Sequence, residues 1–191
     1  MFAGDIILDM KLFMVRHGQT DWNLEHRSQG RTDIPLNATG ILQAEETRDK
    51  LAEEKFDICY ASPLKRAAKT AEIIVGGKCP IVYNDLLIER CFGEFEGSAG
   101  DTWEILTGGI DIFDLKLDFG ERSVEPMSAV LERARKFLEL VKSENPDTAR
   151  VLVVAHGVLL KALHFVIVGY DENTDFLSYQ LKNGEVGEYE I

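Results

Sequence analysis

The stretch Val151–Gly169, VLVVAHGVLLKALHFVIVG, is the most apolar window of the chain and constrains its fold more than any other. Its length approaches the ~20 apolar residues that a membrane-spanning helix requires. His156, Gly157, Lys161 and His164 interrupt it, however, and Gly157 divides it in two. The first half, VLVVA, is continuously apolar, as parallel strands covered on both faces are. The second half, Val158 to Val168, then reads as a buried helix following that strand.

The same alternation runs through the rest of the chain. Lys11–Val15, Phe56–Ala61 and Pro80–Tyr83 read as strands. Thr39–Glu54 reads as a helix with Ile41, Leu42, Ala44, Thr47 and Leu51 on or near one face. Pro63 opens a second helix through Val75, proline being at home in a first turn. Pro126 starts a long helix on which Met127, Val130, Leu131, Ala134, Leu138 and Val141 recur at helical spacing, and Asn145-Pro146 stops it. The tail from Phe176 suggests one or two edge strands. The expected fold is α/β: a three-layer α/β/α sandwich with a mostly parallel central sheet, in a single domain over residues 1–191.

Residues 85–125 break the pattern. They are rich in glycine and aromatic residues, with eleven carboxylates against Arg90, Lys116 and Arg122. That surplus is most of the whole-chain charge of -12. Weak periodicity marks the segment as a small insertion, a lid over a site. An acidic surface repels phosphate backbones, so nucleic acid is not an expected partner. Cys59, Cys79 and Cys91 are odd in number and form no CxxC pair, which points to reduced thiols in the cytoplasm rather than a disulfide framework or zinc site. The N-terminus lacks the basic cluster and apolar core of a signal peptide. Lys11 starts the first strand directly after Met10, so translation is expected to begin at Met10, with residues 1–9 dispensable. No membrane partner is expected, and a homodimer is left open.

Three strands run into polar residues of one kind. LFMV leads into Arg16-His17-Gly18, ICYA into Ser62-Pro63-Leu64-Lys65-Arg66, and VLVVA into His156-Gly157. Ligands in open α/β sheets bind outside the carboxyl ends of the strands, so two histidines and two arginines are expected to converge. Guanidiniums repel a metal cation but hold a dianion such as phosphate in bidentate forks. A neighbouring imidazole kept neutral by those cations is a nucleophile, which suggests phosphoryl transfer through a phosphohistidine. The glycines after each histidine are read as allowing close approach to a ligand. A leaving-group acid is also needed, and Glu89, Glu94 and Glu96 compete for that place.

These residues fall into motifs that resemble the histidine phosphatase superfamily, in its phosphoglycerate-mutase-like branch. Arg16-His17-Gly18-Gln19-Thr20-Asp21-Trp22-Asn23 is similar to RHGxTxWN. Gly30 to Asn37, then Gly40 and Gln43-Ala44, resembles GxxDxPLxxxGxxQA. Ser62-Pro63-Leu64-Lys65-Arg66-Ala67 with Thr70-Ala71 resembles SPLxRAxxTA. Leu87 to Gly97 is similar to LxExxxGxxEG, and His156-Gly157 to the second histidine motif. The resemblance runs from about Met10 to His164. It implies His17 as nucleophile, Glu89 as general acid and then base, and His156, Arg16, Arg66, Asn23 and Gly157 as the phosphate pocket. Thr20, Gln29 and Gly30 fall where relatives touch substrate. No metal or cofactor is implied.

Two branches are open. The mutases carry paired arginines in a larger insertion and Asn-Ser-Leu-Arg after the second histidine. This chain has no Arg-Arg pair, and Val158-Leu159-Leu160-Lys161 stands in the second place. Both departures favour a phosphomonoester hydrolase over a cofactor-dependent phosphoglycerate mutase, with a non-catalytic phospho-ligand binding module as a third reading. The partner is then a small phosphorylated metabolite. If the acidic lid faces the leaving group, like-charge repulsion selects a monophosphate whose remainder is neutral or cationic.

Overall fold

The computed structural model describes residues 10–99, 112–117, 120 and 123–191. Residues 1–9 and part of the 85–125 insertion therefore lie outside the described residues, and with them the expected dispensable extension and the middle of the lid.

Five strands form one sheet: β1 (Lys11–Arg16), β2 (Ile58–Ala61), β3 (Ile81–Tyr83), β4 (Arg150–Ala155) and β5 (Val186–Glu190). Their order is β3-β2-β4-β1-β5. β4 pairs in parallel with both β1 and β2, and β2 with β3; only the edge strand β5 runs antiparallel, against β1. The tail thus supplies one edge strand. The helices are α1 (Asp21–Leu24), α2 (Ala38–Lys50), α3 (Lys65–Val75), α4 (Met127–Glu144) and α5 (Gly157–Val168). The apolar window divides into β4 and α5 at His156. Among the described residues no helix is long and apolar enough to cross a membrane.

The alternation of side chains along each strand builds two cores. Leu12, Met14, Tyr60, Val151 and Val153 pack with α4 and α5 on one face. Phe13, Val15, Cys59, Ala61, Leu152 and Val154 pack with α3 and Leu51 on the other. Both faces of β1 and β4 are therefore covered, which is why these strands read as unbroken apolar runs. All six periodic residues of α4 are buried, and Phe137 joins them.

The face expected for α2 packs only in part: Ala44, Thr47 and Leu51 are buried as expected. Ile41 and Leu42 are exposed, whereas Gly40 is buried. The reason is a close backbone approach: a Cβ on Gly40 would overlap the carbonyl of Gln19, and one on Gly18 would overlap the carbonyl of Gly40. Only a small-residue face admits the loop after β1. Packing against α2 is thus sufficient to require Gly18. Asn37 caps α2 through Gly40 N, and its Nδ2 donates to Gln19 Oε1, so this motif positions the loop that carries the site.

Candidate active site

The carboxyl ends of β1, β2 and β4 meet as expected. A cavity of about 260 Å³ opens there, lined by Arg16, His17, Asn23, Gln29, Gly30, Arg66, Glu89 and Gly157 among others. His17 is buried, 3% exposed, and its ring lies 5.1 Å from that of His156, centroid to centroid.

The hydrogen bonds assign a different state to each histidine. A carbonyl can only accept, so the 2.7 Å contact of His17 Nδ1 with Gly18 O places the proton on Nδ1. Nε2 of His17 then carries the lone pair. For His156, Arg66 Nε donates to Nδ1 at 3.2 Å, so its proton sits on Nε2, which donates to Ser62 Oγ at 2.7 Å. Burial holds both rings well below the usual histidine range, with the positive charge of Arg66 acting next on each. Both are neutral imidazoles.

Arg66 is fully buried on α3, and Asp33 Oδ1 accepts from Lys65 N at the start of that helix. Its NH1 donates to Thr32 O and its NH2 to Gly30 O. Thr70 Oγ1 accepts from Gly18 N and donates to Arg66 O, which ties the loop after β1 to α3. Arg16 NH1 donates to Leu181 O, while its buried Nε has no hydrogen-bond partner among the described residues. A buried guanidinium N–H without a protein acceptor suits an anionic oxygen.

Glu89 lies across the cavity at the N-terminus of α5. Val158 N and Leu159 N donate to its two oxygens at 3.1 Å, and Arg90 N donates at 2.9 Å. Its rivals are placed otherwise. Glu96 accepts from Arg31 N, Thr32 N, Thr32 Oγ1 and Phe92 N, so it fastens two loops. Glu94 is exposed and does not line the cavity.

Not every expected residue reaches the cavity. Thr20 is buried and N-caps α1, exchanging bonds with Asn23, and its hydroxyl lies 3.0 Å from Gln29 Oε1; it sets the wall rather than forming it. His156 is fully buried behind Arg66 and is also absent from the wall. Gly157 lies at the wall, where a Cβ would meet Arg16 at an ordinary 3.5 Å, so packing within the protein does not require a glycine there.

Sequence reading missed Arg27, Phe113, Lys161, Leu177 and Asn183. Asn183 Nδ2 donates to His17 O at 2.8 Å. Lys161 is 4% exposed, lines the cavity, and sits over the Phe113 ring. Its position was legible: it follows Gly157 by four residues and Val158 by three, and so shares their helix face. The insertion contributes Glu89, Phe92 and Phe113 to the wall, while five of its eleven carboxylates, Asp101, Glu104, Asp111, Asp118 and Glu121, lie outside the described residues. Among the described residues Glu89 is the one carboxylate on the wall, beside Arg16, Arg27, Arg66 and Lys161.

Residues 12–191 match the family described as histidine phosphatase superfamily (branch 1). The chain belongs to this superfamily. An uncharacterized phosphatase of Bacillus subtilis, PhoE, is 38% identical over 179 residues, 92% of this chain and 88% of the relative. A 2,3-bisphosphoglycerate-dependent phosphoglycerate mutase of Cytophaga hutchinsonii is 34% identical, covering 80% of this chain and 74% of its own. The crystal structure of a phosphoserine phosphatase from Entamoeba histolytica with 3-phosphoglyceric acid is 30% identical. It superposes with a TM-score of 0.75 over 94% of this chain and 89% of its own. This histidine phosphatase thus has the fold its motifs implied, a mixed five-stranded sheet between helices.

Proposed function

We propose that this single-domain enzyme hydrolyses a small phosphomonoester through a phosphohistidine on His17. The observation that carries the reading is the 2.7 Å bond from His17 Nδ1 to Gly18 O, which leaves the lone pair on Nε2 of a ring that shares the cavity wall with Arg16 and Arg66. The guanidiniums bind the phosphate oxygens and neutralise charge that builds on them during transfer. Asn23, Gln29 and the Gly157 backbone complete the pocket. Nε2 attacks phosphorus and the ester P–O bond breaks. Glu89, carrying a proton, gives it to the leaving oxygen. The Glu89 carboxylate then takes a proton from water, whose oxygen attacks phosphorus and breaks the P–N bond. His17 and inorganic phosphate are released, and Glu89 is protonated again. His156 serves this sequence by holding Arg66.

The substrate is a metabolite in the cytoplasm, a compartment consistent with three cysteines that form no disulfide. Hydrolysis of p-nitrophenyl phosphate, with 3-phosphoglycerate not interconverted in the presence of 2,3-bisphosphoglycerate, is the expected result. Mutase turnover exceeding hydrolysis would return the protein to the mutase branch, and no turnover of any phosphate ester would leave the binding module.

A further inference from the structure

The stretch that carries Glu89, residues 88–92, is irregular and lies between two 3-10 turns, Asp85–Leu87 and Gly93–Phe95. It nonetheless has to deliver a carboxyl group to a fixed place twice in each turnover. One side chain, Arg133 on α4, spans it.

The Arg133 guanidinium makes four hydrogen bonds. NH1 donates to Leu86 O at 2.8 Å and to Ile88 O at 2.9 Å. Nε and NH2 donate to the two oxygens of Glu125 at 2.7 and 3.0 Å, a bidentate pair. Ile88 O belongs to the peptide that joins Ile88 to Glu89, so the fork fixes the plane from which Glu89 departs. Glu125 closes the other side. Its carboxylate accepts from Cys91 N, its carbonyl from Arg90 Nε, and its N–H donates to Cys91 O. Residues 86–91 are thereby fastened to α4 at the backbone, while the Glu89 carboxylate is fastened to α5.

The two anchors do different work. Once the carboxyl group takes up a proton, it becomes a poorer acceptor and its hold on Val158 N and Leu159 N slackens. Backbone anchoring that does not depend on the carboxylate keeps the group in reach through that half of the cycle. Proton transfer falls off steeply with displacement, and an error of about 1 Å can cost about 100-fold. Arg133 lines no part of the cavity.

We propose that Arg133, through its fork onto Leu86, Ile88 and Glu125, is a positioning residue for proton transfer by Glu89. The proposal rests on the reading of Glu89 as the acid, and the test separates the two. A general acid matters most for a leaving group that departs poorly as an anion. Phenol is a much weaker acid than p-nitrophenol, so phenyl phosphate needs the proton and p-nitrophenyl phosphate scarcely does. kcat/KM for both esters is measured for the wild type, E89Q, R133M and R133K. The expected result is a loss of about 10-fold or more on phenyl phosphate in E89Q and R133M, against less than about threefold on p-nitrophenyl phosphate. R133K keeps the charge but not the fork, so it follows R133M.

An equal loss on both esters in R133M, with E89Q still selective, overturns the positioning role and leaves Glu89 in place. An E89Q enzyme that loses both equally overturns Glu89 itself. Wild-type behaviour of R133K overturns the fork. If R133M fails to fold, E125Q makes the same comparison by loosening the other end of the pair, and an unselective loss there counts against the proposal.

Discussion

Arg66 Nε donates to Nδ1 of His156 across 3.2 Å, and that bond separates the roles of two histidines whose rings lie 5.1 Å apart. It fixes His156 with its proton on Nε2, donated to Ser62, so both ring nitrogens are engaged. His17 keeps a lone pair for the cavity. His17→Ala is therefore expected to abolish turnover and to abolish an acid-labile, base-stable phosphoryl label. His156→Ala leaves the nucleophile and loosens Arg66, so activity falls but labelling persists. A label that survives His17→Ala refutes the assignment.

Both histidines are held neutral by burial, and each would take up a proton near pH 6.5 once unfolded. Below that pH the unfolded chain binds more protons than the folded one, so stability falls as pH falls. The slope is at most about 1.4 kcal/mol per histidine per pH unit. Urea melts at pH 7.0 and 5.5 should show the loss, and His156→Asn should reduce it. Since His17 stays unprotonated when folded, kcat/KM should show no acidic limb near 6.5 assignable to its titration. Such a limb, lost only on altering His17, would contradict the neutral state.

Arg16 and Arg66 supply at the cavity the positive charge that a divalent ion brings to other phosphoryl-transfer sites. Dialysis against a chelator is expected to leave the rate unchanged. A large loss restored by magnesium or zinc would show that the clamp is insufficient.

Lys161 and Arg27 add positive charge to the wall beyond the clamp. Whether an anionic group on the leaving alcohol is favoured or disfavoured is therefore read from paired esters. If Lys161 contacts the leaving group, Lys161→Met should change kcat/KM for 3-phosphoglycerate hydrolysis by about 10-fold and that for p-nitrophenyl phosphate far less. Equal effects on the two esters would place Lys161 in packing alone.

Much of the site was legible because strands end where chemistry begins. An apolar run followed by Arg16-His17 or His156 is visible locally, since a strand covered on both faces has to be apolar and the residue after it can be polar. The same logic identified the buried face of α4, whose spacing follows the helical period. On α2 it held for Ala44, Thr47 and Leu51 but failed for Ile41 and Leu42, because the packed face is centred by the close approach of Gly18 to Gly40. A spacing rule counts apolar residues; it has no knowledge of which backbone will press against the helix.

Local composition and period thus determined the elements, their order and the residue types at the sheet's carboxyl edge. Only the tertiary structure decided which nitrogen of each histidine holds a proton. That choice depends on a carbonyl at Gly18 and a guanidinium from another helix. It alone set the charge of the cavity wall too, because a carboxylate such as Glu125 counts for the cavity only if it is not already held by Arg133. Hydrogen bonds and charge neutralisation act through space over a few ångströms, between residues that the sequence holds far apart.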